Sequence, residues 1–173
     1  NIRVHFVCGN RVREQLTMRK TVLTDVARQL SVPEKDASIA LTKLMASAKQ
    51  TEKALAETRD ALLGYEAKEY AHAGEAVVGR VFENRTIQEL QKLARFMTTE
   101  NADVIALLVA NNEDKLQFVA ARGTNVEISM KSVSAAVLPL INGKGGGNNA
   151  LVQGGGEKIV APTALVDAMR AAL

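Results

Sequence analysis

The sequence predicts an α/β (α+β) chain in which a long helical hairpin is followed by a small mixed β-sheet domain with packed helices and a glycine-rich loop. Three observations carry that expectation. Apolar residues recur at heptad spacing through roughly the first 70 positions, the period turns strand-like after Gly74, and seven of the 14 residues from Gly143 to Gly156 are glycine.

Each element follows from its residues. Asn1 is followed at once by the alternating run Ile2-Arg3-Val4-His5-Phe6-Val7, a strand pattern with no preceding turn or start methionine, so residues 1–10 read as a remnant strand of an upstream domain. Val12, Leu16, Leu23, Val26 and Leu30 form a helical seam with Arg19 as its one charged member. Pro33 breaks that helix and suits the first turn of a second one. The second helix carries Leu41, Leu44, Ala48, Leu55 and Leu62 on its apolar face, with Thr51 and Thr58 at weak positions, and stops at Gly74. The two helices, over residues 11–74, are expected to fold back on each other. At about 1.5 Å per residue the second is longer than its partner, and part of its stripe must meet another surface, either an upstream domain or a second copy.

The remaining residues, 75–173, read as the small domain. Ala76 to Phe82 is β-branched and short, a strand. Thr86 caps a helix from Ile87 to Thr98, and Glu89 completes a capping box. Val104 to Val109 is apolar throughout, as a strand covered on both faces requires. Asn111 to Asp114 turns the chain into Leu116–Ala121, an antiparallel partner. Val133–Ile141 and Pro162–Leu173 read as helices, the latter with Pro162 in its first turn.

Composition limits the function. Aromatics are 3% of the chain, with no Trp, so base stacking on aromatic platforms is not the main mode of any nucleic-acid contact. A net charge of +3 with interspersed signs makes phosphate recognition local. The single cysteine, Cys8, has no internal partner, and no apolar stretch is long enough for a bilayer; both fit a cytoplasmic protein with no membrane association.

The glycine-rich segment is the candidate site. Runs of glycine let successive backbone N–H groups converge in a nest that an anion can approach closely. Within it Gly143, Gly145, Gly146, Gly147, Gly154, Gly155 and Gly156 supply backbone, Lys144 a point charge, and Asn148, Asn149 and Gln153 directed hydrogen bonds. A flexible linker is the plain alternative, weakened by the apolar Ala150-Leu151-Val152 between the runs. No Ser or Thr follows Lys144, so the segment is not a Walker loop. Arg122 joins the candidate phosphate contacts, and Arg80, Arg85 and Lys131 are the other basic residues of the domain considered.

From about Val77 to Leu173 these residues resemble the C-terminal domain shared by alanyl-tRNA synthetases, long-form alanyl-tRNA editing proteins and, as the DHH-associated domain, DHH phosphoesterases. The paired runs Gly143–Gly147 and Gln153–Gly156 carry the likeness. The phosphoesterases typically place a histidine in this cluster, where this chain has Asn148, which favours the tRNA branch. Arg3-Val4-His5-Phe6-Val7-Cys8-Gly9-Asn10-Arg11-Val12 also looks like the last strand of an editing domain leading into a linker helix. The resemblance implies the C-terminal tRNA-binding and dimerisation module of an alanyl-tRNA editing protein acting on tRNA(Ala). Its zinc would lie in an editing domain outside this chain, and no cofactor is expected here. His5, Cys8 and His72 do not make a zinc site, since His5 and Cys8 alternate onto opposite strand faces. No acid pair or Ser/His/Asp set suggests catalysis. The second reading is the substrate-binding domain of a DHH-type phosphoesterase acting on nanoRNA or cyclic dinucleotides.

Overall fold

The computed structural model describes Arg3 and residues 8–173. Most of the strand expected over residues 1–10, His5 included, lies outside the described residues. The chain divides into two compact units, Asn1–Ala56 and Glu57–Leu173.

The first unit holds α1 (Asn10–Gln29), a short 3₁₀ turn (Glu34–Asp36) and the opening turns of α2 (Ala37–Ala71). Ser31 takes a positive φ of 55° just past the end of α1, and Pro33, with φ −59°, opens the 3₁₀ turn. Thr24 Oγ1 donates to the Glu34 carboxylate across the bend. Ala27 and Ala37 are buried there. Beyond the bend the seam does not close as the sequence suggested. Leu16 of α1 is 59% exposed and Leu44 of α2 55%, and Leu23 and Leu41 are exposed with them. The stripe is narrow, two positions in seven, and Arg19 interrupts it, so little apolar area is available to hold the two arms together.

The second unit begins inside α2, upstream of the boundary expected at Gly74. The reason is burial: Leu63, Ala67 and Ala71 face into the core of this unit. A five-stranded sheet of order β1-β2-β3-β5-β4 follows, built from β1 (Val77–Glu83), β2 (Ile105–Asn112), β3 (Lys115–Arg122), β4 (Lys144–Gly147) and β5 (Leu151–Glu157). β1 runs parallel to β2, and every other pair is antiparallel. The apolar run expected to be central is β2, buried from Ile105 to Ala110.

Alternation along the strands divides the core. Ile105, Leu107, Val109, Leu116, Phe118, Ala120 and Val152 pack against α4 (Met130–Val137), a 3₁₀ turn (Leu138–Ile141) and α5 (Pro162–Ala171). Val78, Ala106, Leu108, Ala110, Val119 and Ala121 pack against α3 (Ile87–Glu100) and the last turns of α2. The capping box forms as expected, with Thr86 N–H donating to Glu89 Oε2 at 2.9 Å and Glu89 N–H to Thr86 Oγ1 at 3.3 Å. The last turns of α2, which belong to this unit, make polar contacts within it as well. Glu66 Oε2 lies 2.8 Å from Arg85 Nη2, Glu66 Oε1 accepts from the Tyr70 hydroxyl, and Asp60 pairs with Lys92 at 2.6 Å.

The two sheet edges differ. On β1, Arg80 Nη1 donates to the Gly79 carbonyl at 2.9 Å and Arg170 Nη2 to the Val77 carbonyl at 3.4 Å, so guanidinium groups cover that edge. On β4 all four residues are exposed.

Candidate functional site

The glycine-rich segment is a β-hairpin, not the loop the sequence suggested. β4 and β5 pair in register Lys144↔Gly155, Gly145↔Gly154, Gly146↔Gln153 and Gly147↔Val152. Asn148 makes the turn: its N–H donates to the Leu151 carbonyl at 2.8 Å, and its Oδ1 accepts from the N–H groups of Ala150 and Leu151 at 2.9 and 2.8 Å. β5 is an interior strand between β3 and β4, and its backbone groups belong to those two ladders. The sequence suggested a concave amide nest within Gly143–Gly156; on β5, Gly154–Gly156 do not form one, because ladder pairing holds their backbone extended, whereas a nest needs alternating curled conformations.

Packing explains most of the glycines. A Cβ on Gly145 would stand 2.4 Å from the Gln153 carbonyl oxygen, and one on Gly147 2.2 Å from that of Leu151. At Gly154 it would meet the Phe118 ring, and at Gly156 the Ile141 carbonyl oxygen at 2.1 Å. Gly146 has nothing within 4 Å, and Gly155 only the Gln117 side chain and the Leu116 carbonyl beyond 3 Å. Gly146 is open, whereas at Gly155 a Cβ would stand 3.2 Å from Gln117 Cγ, closer than ordinary contact.

What the hairpin offers a ligand is its outer edge. The Asn148–Leu151 bond sets the phase of the ladder, so Gly146 and Lys144 point their backbone groups at β5 while Gly145 and Gly147 turn theirs outward. With no side chains on three successive residues, an anion or a polar backbone can reach those amides. Lys144 stands beside them, exposed.

The other candidates divide. Arg122 is spent on the protein itself, donating from Nε to the Asn149 carbonyl at 3.2 Å and from Nη1 to the carbonyls of Gly123 and Val126. The Asn149 carbonyl also takes the Met130 N–H at 3.0 Å, and its Oδ1 the Ser129 hydroxyl at 3.3 Å. Arg122, Asn148 and Asn149 thus build the hairpin. Arg80 is paired with Glu75 at 3.1 Å and sits over the Tyr70 ring; Arg85 is held by Glu66 and lies 4.4 Å over the Phe82 ring. Burial and the Glu66 charge raise the Tyr70 hydroxyl above its ordinary pKa. Lys131 is exposed at the start of α4. Cys8 is exposed, His72 Nδ1 lies 2.9 Å from the Lys68 carbonyl, and among the described residues no group of three His, Cys, Asp or Glu could hold a metal ion. Among them, too, no helix is long and apolar enough to cross a membrane.

A groove of about 510 Å³ beside the hairpin was not singled out from the sequence. Asp114, Lys115, Gln117, Gly155, Gly156 and Glu157 line it. The available signal was Gln117, a polar residue inside the otherwise apolar strand Leu116–Ala121.

No family model matches the chain. Alanine–tRNA ligase of Saccharophagus degradans is 25% identical over 171 residues, which cover 95% of this chain and 20% of the ligase. The chain thus spans about a fifth of that relative's length. The crystal structure of the C-Ala domain from Aquifex aeolicus alanyl-tRNA synthetase superposes with a TM-score of 0.52 and 25% identity, over 56% of this chain and 89% of the domain. Exonuclease RecJ bound to manganese gives a TM-score of 0.47 at 18% identity, over 85% of this chain and 36% of the exonuclease. The chain is thus similar in sequence to an alanine–tRNA ligase and, over 56% of its length, similar in fold to the C-Ala domain of an alanyl-tRNA synthetase.

Proposed function

We propose that the chain is a tRNA-binding module whose contact surface is the open edge of β4 together with Lys144. The observation that carries this reading is the asymmetry of the sheet: arginines cover the β1 edge, while the β4 edge presents the outward amides of Gly145 and Gly147 beside an exposed lysine. Backbone N–H groups and a lysine are donors suited to phosphate oxygens, and such contacts position an RNA without reading its sequence. The similarity to an alanyl-tRNA synthetase domain supplies tRNA as the RNA, with tRNA(Ala) the first candidate.

The same reading makes the chain part of an alanyl-tRNA editing protein that deacylates mischarged tRNA, its zinc centre held by residues outside this chain. The exposed apolar residues of α1 and α2, Leu16, Leu23, Leu41 and Leu44 among them, are then a self-association surface. Amide chemical shifts of the labelled chain titrated with tRNA test the contact. Gly145, Gly147 and Lys144 should move at low salt and return as salt is raised, whereas a footprint confined elsewhere refutes this placement.

A further inference from the structure

Gln117, Gly155 and Lys144 form one cross-strand row over β3, β5 and β4, since Gln117 pairs with Gly155 and Gly155 with Lys144. The row spans two strand spacings, about 10 Å from first Cα to last. Its middle member has no side chain, so the backbone of Gly155 is a flat floor, and the Cβ position there lies 3.2 Å from Gln117 Cγ. The groove of about 510 Å³ opens on this floor.

The polar groups around it have fixed roles. Asn112 Nδ2 donates to the Arg85 carbonyl at 2.8 Å, which fixes which way its amide points, and the same Nδ2 donates to Gln117 Oε1 at 3.3 Å. Gln117 is left with its NH₂ as a donor. One register step along, on the same face, Gln153 holds a buried Oε1 with no partner among the described residues, and Asp114, Lys115 and Glu157 line the groove further along the strands. A ligand edge that satisfies this set offers an acceptor to Gln117 and an amine to an oxygen. Lys144 is the row's charged end on β4, and the rim of mixed charge, with Lys115 paired in register to Glu157, lies further along β3 and β5.

We propose that this shelf is a subsite for one unpaired nucleotide, its phosphate at Lys144 and an amine-bearing base over Gly155 with its edge toward Gln117. The inference rests on the RNA-binding reading above and adds to it a preference that phosphate contacts cannot create. Cytosine carries an exocyclic amine beside ring acceptors, and uracil, of equal size, does not.

The test compares octacytidine with octauridine on the unmodified chain, on Gln117→Leu and on Lys144→Glu. The cytidine oligomer should bind about tenfold tighter than the uridine one. Gln117→Leu should remove that difference while leaving the octauridine affinity and its salt dependence in place, and Lys144→Glu should weaken both oligomers. Equal binding of the two oligomers by the unmodified chain, with Lys144→Glu weakening both, overturns the base subsite and leaves the RNA-binding reading standing. Loss of both oligomers together in Gln117→Leu also overturns it. Binding of neither oligomer to the unmodified chain sinks both readings. Titration with cytidine monophosphate gives a check that needs no variant: the Gly155 and Gln117 amides should shift, and with inorganic phosphate alone they should stay still while Lys144 moves. No shift at those two amides with cytidine monophosphate overturns the subsite.

Discussion

Gly154 lies against the ring of Phe118: a Cβ built on Gly154 would stand 2.7 Å from Phe118 Cε1, and 2.9 Å from Leu138 Cδ2. The glycine is there because β5 and the 3₁₀ turn Leu138–Ile141 close over a fully buried aromatic ring. Gly154→Ala should therefore overpack the core and cost about 1–3 kcal/mol in chemical denaturation. Gly146→Ala, with open space around it, should stay within about 0.5 kcal/mol of the parent. Equal costs at the two positions would remove the packing explanation of the glycines.

The acid limb of stability should depend on Glu89. The backbone N–H of Thr86 holds this carboxyl below its ordinary pKa; burial opposes the effect, and the Thr86 hydroxyl, Arg59 and Arg85 add to it. A folded value below the unfolded one means the stabilisation is complete above the ordinary carboxylate range, near about pH 4, and is lost as pH falls through the lower folded value. Glu89→Gln keeps an acceptor for Thr86 and does not titrate. Its urea midpoint should fall less steeply on acidification than that of the parent, and parallel curves would show that Glu89 contributes nothing to the acid limb.

Arg85 joins α2 to the sheet through Glu66 and covers the Phe82 ring, with its side chain 27% exposed and that of Glu66 18%. Arg85→Ala leaves Glu66 partly buried without its cation and should cost roughly 1–3 kcal/mol. A double-mutant cycle with Glu66→Ala should show a favourable coupling of at least about 0.5 kcal/mol. Additive effects would mean the two side chains act separately.

Self-association through the first unit has its own measurement. Sedimentation of the parent should report a species larger than the monomer, and Leu16→Glu with Leu44→Glu should return it to monomer without changing the second unit's thermal transition. A monomeric parent at micromolar concentration would reject this use of the exposed apolar face.

Much of this architecture was legible in the residues. The capping box at Thr86 and Glu89, the doubly buried run at β2 and the Pro162 helix start are local patterns, and local physics decides them. The glycine hairpin was not legible, because glycine has no side chain to alternate, and its strand pairing is dictated by neighbours distant in sequence: Phe118, Leu138 and Ile141. The same blindness hid the site's character, since whether an amide faces a ligand or a sheet partner is set by ladder phase. Lys144 was recognisable as a candidate contact, and it is exposed. Arg122 was not recognisable as a structural one, for its acceptors at Gly123, Val126 and Asn149 converge only in the fold. The open seam of α1 was missed because a heptad pattern specifies an apolar stripe without specifying what covers it.

The most direct test of the central claim is the affinity of tRNA for the parent chain, for Lys144→Glu and for Lys131→Glu across a series of salt concentrations. If the β4 edge is the contact, Lys144→Glu should weaken binding by about tenfold or more at low salt and reduce the slope of log affinity against log salt by about one, with Lys131→Glu close to the parent. Parent-like affinity and slope in Lys144→Glu would contradict the account.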